Sequence, residues 1–275
     1  MTKIKLALCQ MNVIDDKKDN IKKAGLMIAE SVKKNADFII LPEMFNCPYS
    51  NDKFIEYGEE EQDSYTLNAI SKLASENNVY ILAGSIPERE NDRLYNTSYL
   101  FDKKGSVIGK HRKMHLFDID VKDRITFKES DVLTAGNKVS VVETEIGKIG
   151  IGICYDVRFP ELARIMVEKG ALILFYPGAF NMTTGPAHWE LLFRSRAVDN
   201  QVFCVGVAPA LNMDASYHSY GHSIVVNPWG EVLTEASEKE ELIICEIDLN
   251  EIKKVREEIP VLKNKREDLY EVKLK

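Results

Sequence analysis

The stretch KIGIGICYDVRFPEL, residues 148–162, decides the fold because it joins a buried strand to a helix through a polar elbow. Apart from Lys148, its first six residues are apolar or glycine, which predicts a strand over 148–153. Pro160 is typical of the first turn of a helix, so a helix is predicted to follow. Cys154 therefore lies between a strand and a helix.

Working outward, apolar runs typical of buried strands alternate with helical periodicity, which predicts an α/β fold. Further strands are predicted at residues 5–11, 37–41, 79–85, 95–101, 106–110, 139–143, 172–176, 201–208, 223–227, 231–234 and 242–247. Helices are predicted at residues 19–34, 64–78, 160–169, 186–200 and 250–258. Residues 111–135 are predicted to form a long ordered loop, and turn residues at 102–105 and 228–230 predict two hairpins.

No linker rich in Gly, Ser or Pro and no repeat divides the chain, so we predict one domain over residues 1–275. The formal net charge of −7 argues against a nucleic-acid partner, which requires a concentrated basic face. No apolar run approaches the roughly 20 residues that span a bilayer, and the N-terminal apolar stretch is too short for a signal peptide. We therefore expect a cytoplasmic protein without a membrane partner.

Five cysteines are scattered without a CxxC pair, which predicts reduced thiols rather than a disulfide framework or a zinc ribbon. Cys154 is the best candidate nucleophile, because the N–H groups that follow it, beginning with Tyr155, can point at an oxyanion. On spacing alone, a buried thiol at the end of a core strand remains the alternative. Cys47, in a loop, is the weaker rival. Three others lie in apolar strands and are predicted to be inert: Cys9, Cys204 and Cys245.

Two charged residues stand beside predicted strands. Glu43 follows the strand at 37–41, where ligands of α/β sheets gather and where desolvation would raise a carboxyl pKa, as an acid–base group requires. A surface glutamate at the start of a loop is the alternative. Lys113 lies in a basic run, for which a solvated patch is the alternative. His111 and His115 have i,i+4 spacing but no intervening Glu and no evident third ligand, so no metal site is predicted.

Three separated motifs, LPE at 41–43, HRK at 111–113 and GICYD at 152–156, together resemble the nitrilase superfamily of carbon–nitrogen hydrolases. Five further segments resemble its omega-amidase branch: residues 45–49, 115–120, 125–130, 176–181 and 183–192. The resemblance covers nearly the whole chain. It implies a four-layer α-β-β-α sandwich, no metal or organic cofactor, and a homodimer with the C-terminal extension, residues 250–275, at the interface.

The resemblance also implies roles for single residues. Glu43 matches the general base and acid, Lys113 the catalytic lysine, and Cys154 the nucleophile. Glu129 matches a second glutamate that supports the lysine, and the Tyr155 N–H would join Lys113 in stabilising the oxyanion.

Three residues are implied to bind substrate. Arg158 is placed to grip a distal carboxylate, which its planar guanidinium suits. Phe180 falls in a loop that lines the substrate, and Tyr49 could add a hydroxyl group. A structural ion pair with Asp156 or Glu161 is the alternative for Arg158.

The implied reaction is hydrolysis of a linear amide through a cysteine thioester. The omega-amidase branch converts 2-oxoglutaramate or 2-oxosuccinamate, each a small amide of a dicarboxylic acid, to 2-oxoglutarate or oxaloacetate and ammonia, with water as the second reactant. One alternative is another amidase of the superfamily, acting on deaminated glutathione or an N-carbamoyl compound. Another, of a different class, is a non-catalytic binding or scaffold protein.

Overall fold

The computed structural model describes residues 2–123 and 125–275. The strands are β1 (Lys3–Gln10), β2 (Phe38–Ile40), β3 (Glu59–Glu60), β4 (Tyr80–Glu90), β5 (Arg93–Phe101), β6 (Val107–Arg112), β7 (Asp118–Val121), β8 (Ile125–Lys128), β9 (Ser140–Thr144), β10 (Gly147–Ile151), β11 (Ile173–Pro177), β12 (Phe203–Val207), β13 (Ile224–Val226), β14 (Val232–Glu235) and β15 (Glu241–Asp248). The α-helices are α1 (Lys17–Lys33), α2 (Asn51–Tyr57), α3 (Tyr65–Asn77), α4 (Pro160–Glu168), α5 (Gly185–Asn200) and α6 (Asn250–Glu258). Short 3₁₀ helices cover Glu61–Asp63, Glu129–Asp131 and Cys154–Arg158.

Two large sheets contain most of the strands, and the first sheet takes strands from both ends of the chain. The first has the order β15-β1-β2-β4-β5-β6, with β3 beside β4. The second has the order β14-β13-β12-β11-β10-β9. In each sheet the three strands at the centre run parallel and the outer strands pair antiparallel, so the carboxyl ends of the central strands lie at one edge.

The inner core forms where the two sheets face each other. Alternate residues of a strand point to opposite faces, and both faces of these strands are buried, so the apolar runs are continuous. Leu6 and Leu8 of β1 point inward to the second sheet, whereas Ala7 and Cys9 point outward. Phe38 of the first sheet stacks on Phe175 of the second at a centroid distance of 5.0 Å.

Helices cover the outer face of each sheet. α1 and α3 pack on the first sheet through Ile28 and Ile70, and α4 and α5 pack on the second through Met166 and Phe193. The result is the four-layer α-β-β-α sandwich that the resemblance implied. Among the described residues, no helix combines the length and the apolarity that crossing a bilayer demands.

The predicted strands and long helices are confirmed within a few residues, and both predicted hairpins exist as β5–β6 and β13–β14. The prediction of a loop over residues 111–135 is wrong. This segment contains the hairpin β7–β8 and a 3₁₀ helix, because residues 118–121 and 125–128 alternate in exposure and pair with each other. The short helix α2 was not predicted, since seven residues carry too little periodicity to identify it.

The contact between the sheets gives a test of the inner core. Phe38→Ala is expected to lower the free energy of unfolding by about 3–5 kcal/mol, because it removes a fully buried ring and leaves a cavity between the sheets. Leu26→Ala on the exposed face of α1 is the control, with an expected change under about 0.5 kcal/mol. Urea unfolding measures both, and equal losses would contradict this account of the core.

Candidate functional site

The three side chains predicted to do chemistry meet between the two sheets. Glu43 follows β2, Lys113 directly follows β6, and Cys154 follows β10 of the other sheet. Glu43 and Lys113 are fully buried and Cys154 nearly so. The Lys113 Nζ donates to Glu43 Oε1 at 3.0 Å, and Glu43 and Cys154 lie close enough to shift each other's pKa. Lys113 is therefore not part of a solvated basic patch.

Backbone geometry brings the Cys154 thiol to this point. Cys154 has φ +46°, a left-handed conformation that costs a non-glycine residue energy and is common at functional sites. A side chain at Gly152 would collide with the ring of Tyr176, and one at Gly178 would lie 3.2 Å from the Cys154 Cα. The lack of a side chain at these two glycines therefore lets the Tyr176 ring and the Cys154 backbone approach closely.

Lys113 is shared by two carboxylates. Its Nζ donates to Glu129 Oε1 at 2.9 Å as well as to Glu43, and it lies 3.3 Å from the Tyr49 hydroxyl oxygen. The Tyr49 hydroxyl donates to Glu129 Oε1 at 2.6 Å, so its proton is held by a carboxylate. Glu129 is anchored by the Phe117 N–H, which donates to its Oε2 at 2.7 Å. These contacts use all three protons of the ammonium.

The Glu43 carboxylate is held by groups that the sequence did not reveal. Asn96 Nδ2 donates to its Oε1 at 2.9 Å, and the Ala179 N–H donates to its Oε2 at 2.7 Å. The Ala179 carbonyl in turn accepts the Tyr217 hydroxyl at 2.5 Å. Asn96 faces inward at a buried position of a strand, which is an unusual place for an amide. This was the one sequence feature that could have indicated a partner for Glu43. Nothing marked the backbone of Ala179 or the position of Tyr217.

Burial and charge set the protonation of these groups. Burial raises the pKa of Glu43, and Lys113 opposes that rise. Burial also raises the pKa of the Cys154 thiol well above its usual value, with Glu43 adding to the rise and Lys113 lowering it. For Lys113, burial would lower the pKa, but Glu129 and Glu43 outweigh it and hold the pKa well above its usual range. In the resting site a protonated thiol therefore lies beside a carboxylate and an ammonium.

The two histidines of the basic run share one buried carboxylate. Asp156 Oδ2 lies 3.0 Å from His111 Nε2, and Asp156 Oδ1 lies 2.7 Å from His115 Nδ1. Burial would raise the pKa of Asp156, but hydrogen bonds from both rings hold it well below its usual range. Within residues 2–123 and 125–275, no group of three or more His, Cys, Asp or Glu side chains has the geometry of a metal site.

Arg158 lies beside this centre, and no carboxylate within residues 2–123 and 125–275 pairs with it. Its guanidinium stacks over the Phe180 ring at 4.8 Å, and its Nη1 lies 3.2 Å from His188 Nδ1. Its Nε is buried without a hydrogen-bond partner in the described part of the chain, and burial lowers its pKa. The alternative of an ion pair with Asp156 or Glu161 is wrong: Asp156 is taken by the histidines, and no ion pair joins Glu161 to Arg158.

The remaining cysteines do not join the site as reactive groups. Cys9 is buried in β1, and burial raises its pKa to about 12; Cys245, in β15, has a pKa raised to about 11 for the same reason. Cys204 is buried in β12. Cys47 packs near Glu43 in a cluster with Tyr49, and burial raises its pKa strongly. The inert character predicted for the strand cysteines agrees with this burial.

The sequence of this chain is similar to those of known proteins. A sequence model of the carbon-nitrogen hydrolase family matches residues 5–257. The omega-amidase NIT2 of Mus musculus is 48% identical over 275 residues, which cover 100% of this chain and 99% of that protein. Nitrilase homolog 2 of Dictyostelium discoideum is 48% identical over 98% of this chain and 82% of its own length.

Solved structures agree with the fold. Nit3 of Saccharomyces cerevisiae, a member of branch 10 of the nitrilase superfamily, superposes with a TM-score of 0.89 and 43% identity over 96% of this chain and 97% of its own. The C. elegans NitFhit protein superposes with a TM-score of 0.90 and 33% identity over 99% of this chain and 67% of its own.

The shared ammonium gives a test of the electrostatics. Lys113→Met would leave Glu43 buried without its cation and raise its pKa further. A carboxyl group whose pKa is higher in the folded state stabilises the fold only when protonated, so the penalty grows as the pH rises. We expect a loss of about 3–5 kcal/mol in unfolding free energy near neutral pH, and a smaller loss at mildly acid pH.

The control is Lys72→Met, which removes an exposed ion pair with Glu76 and should change stability by about 0.5 kcal/mol or less at either pH. Urea unfolding at the two pH values measures both variants. A loss for Lys113→Met that is independent of pH would show that the buried carboxylates do not depend on this cation.

Proposed function

The chain belongs to the carbon–nitrogen hydrolase family, and from this membership we propose that it is an omega-amidase that uses Cys154 as its nucleophile. Its preferred substrate would be 2-oxoglutaramate or 2-oxosuccinamate. Hydrolysis would give 2-oxoglutarate or oxaloacetate, respectively, and ammonia. The full-length similarity to omega-amidases, at 48% identity, supports this substrate class. The observation that carries the chemistry is the contact of Lys113, Glu43 and Cys154 in one buried site.

In the first half-reaction, the Cys154 sulfur attacks the amide carbon while its proton passes to Glu43. A buried carboxylate with a raised pKa is suited to accept this proton and to return it. The tetrahedral oxyanion would be stabilised by Lys113 and by the N–H of Tyr155, which lies in the first turn of its 3₁₀ helix, where N–H groups have no partner inside the helix. Glu43 then gives the proton to the departing nitrogen, the C–N bond breaks, ammonia leaves and a thioester remains.

In the second half-reaction, Glu43 takes a proton from water and the resulting hydroxide attacks the thioester carbon. The C–S bond breaks, the acid product leaves, and Cys154 recovers its proton from Glu43. For Lys113 to reach the oxyanion it must give up one present partner. The longest of its contacts, 3.3 Å to the Tyr49 hydroxyl, is the one that a substrate oxygen would replace at least cost.

Substrate selection would rest on Arg158. A half-buried guanidinium without a counter-ion is costly, and Arg158 has no carboxylate partner among the described residues; a planar carboxylate would pair with it bidentately. The Phe180 ring beneath the guanidinium would keep it in place. In this proposal Tyr49 serves the lysine rather than the substrate, because its hydroxyl proton is bound to Glu129.

Three further features stay proposals. We propose a homodimer, with residues 250–275 at its interface, supported by the exposed apolar side chains of Val261, Leu269, Tyr270 and Leu274. We propose a cytoplasmic location and a single domain over the chain. The alternatives are another amidase of the family, for deaminated glutathione or an N-carbamoyl compound, and a non-catalytic scaffold, which the buried constellation disfavours.

The nucleophile is tested by paired cysteine variants. Cys154→Ala is expected to lower ammonia release from 2-oxoglutaramate by at least about 10⁴-fold, because no other group can form the thioester. Cys47→Ala is the matched control, a buried cysteine near the same carboxylate, and should retain most activity. Mass spectrometry should detect the acyl-enzyme in the wild type and not in Cys154→Ala. Turnover by Cys154→Ala would disprove the assignment.

The substrate class is tested by an amide panel with Arg158→Lys. Wild-type protein is expected to favour monoamides of dicarboxylic acids over neutral amides, deaminated glutathione and N-carbamoyl compounds. Arg158→Lys should reduce kcat/KM on 2-oxoglutaramate by about 10–100-fold, because one bidentate charged pair is lost. The neutral amide serves as the control and should be affected much less. An equal loss on both would remove Arg158 from carboxylate recognition.

A further inference from the structure

Asp156 makes four hydrogen bonds that join the two segments carrying Lys113 and Cys154. Its Oδ1 accepts from the His115 N–H at 3.0 Å and from His115 Nδ1 at 2.7 Å. Its Oδ2 accepts from the Ile153 N–H at 3.0 Å and from His111 Nε2 at 3.0 Å. Both carboxylate oxygens are therefore fully used.

These partners are close in sequence to the two reactive side chains. His111 and His115 lie two residues before and two residues after Lys113, and Ile153 directly precedes Cys154. The Asp156 carboxylate thus joins two segments. One is the end of β6 and the loop after it, on either side of Lys113, and the other is the elbow that carries the Cys154 thiol. The elbow includes the left-handed Cys154, a conformation that persists only when its surroundings over-determine it.

The buried His111 ring is held at both of its nitrogens. Its Nε2 donates to the Asp156 carboxylate, and its Nδ1 lies 3.1 Å from the Ser140 hydroxyl oxygen. Ser140 in turn donates to the Lys110 carbonyl at 2.8 Å. His111 is 1% exposed, so protein groups rather than water must satisfy its ring nitrogens.

We propose that Asp156, hydrogen-bonded to His111 and His115, is a positioning residue that sets the distance between the Lys113 ammonium and the Cys154 thiol. The inference rests on the proposed function in that these two groups are taken as the catalytic pair. Asp156 itself would touch neither substrate nor the reacting atoms. Its effect on the reaction would pass through geometry, where a displacement of about 1 Å can cost about 100-fold in rate.

Asp156→Asn is the direct test. The amide keeps the shape of the side chain but replaces one accepting oxygen with a donor, so two of the four hydrogen bonds are lost. We expect kcat to fall about 100-fold and the alkylation of Cys154 by iodoacetamide to slow at least about tenfold, because the displaced ammonium no longer favours the thiolate. His111→Asn, a second variant that removes only one side-chain partner, should lower both rates by about tenfold.

The matched control is Glu59→Gln. Glu59 is another largely buried carboxylate, in β3 between α2 and α3 along the chain. It accepts hydrogen bonds from Thr66 and Ser64 and forms an ion pair with Lys17, none of which is one of the three catalytic side chains. It should lose stability while kcat of the folded protein stays within about twofold. The double variant of Asp156 and His111 should lose no more than Asp156→Asn alone, since both changes break one linkage.

Two results would overturn the proposal. One is a folded Asp156→Asn protein whose kcat and alkylation rate stay within about twofold of wild type, as for Glu59→Gln. The other is a double variant of Asp156 and His111 whose loss in alkylation rate equals the product of the two single losses, which would show that the two residues act independently. Alkylation needs no substrate, so a wild-type protein inactive on every amide would refute the proposed function without deciding the role of Asp156.

Discussion

A buried ammonium shared by two buried carboxylates is the interaction on which the site depends. Lys113, Glu43 and Glu129 are all withdrawn from water, so each would be costly to bury alone. Burial first, and Glu43 next, raise the pKa of the neighbouring Cys154 thiol well above its usual value, so the thiol stays protonated at rest. In the proposed mechanism the thiol would stay inactive until an acyl carbon arrives to accept the sulfur electrons. Glu43 would take the proton at that moment, because burial raises its pKa while Lys113 favours its carboxylate form.

The fold could be derived from the sequence where burial imposes a regular pattern. Central parallel strands are covered on both faces, so their apolar runs are unbroken, and 37–41 and 172–176 were recognised for this reason. Cys154 was recognised because its strand is followed by a helix-starting Pro160. The hairpin β7–β8 escaped recognition because it pairs only with itself and half its residues are exposed, which resembles an ordered loop.

The site could be derived only in part, because its partners are assembled by tertiary contacts. Glu43 and Lys113 each looked like a surface residue in isolation, and only the resemblance of three motifs joined them to Cys154. Nothing local indicates that Asp156 binds His111 rather than Arg158, two residues along its own helix. The direction in which each side chain leaves the 3₁₀ helix decides this, and that direction depends on how the first sheet lies over the second.

The pairing of β1 has a consequence for biosynthesis. Lys3 pairs with Asp248, and the other side of β1 pairs with β2, so β1 is synthesised well before β15, its partner on one side. While translation continues, one edge of β1 offers unsatisfied hydrogen-bonding groups to any strand nearby, which is the template for aggregation. That edge is covered only when β15 emerges, after the whole second sheet has been made. Glu43, Lys113 and Cys154 all precede β15 along the chain, so the side chains of the candidate site are synthesised before the first sheet can be completed.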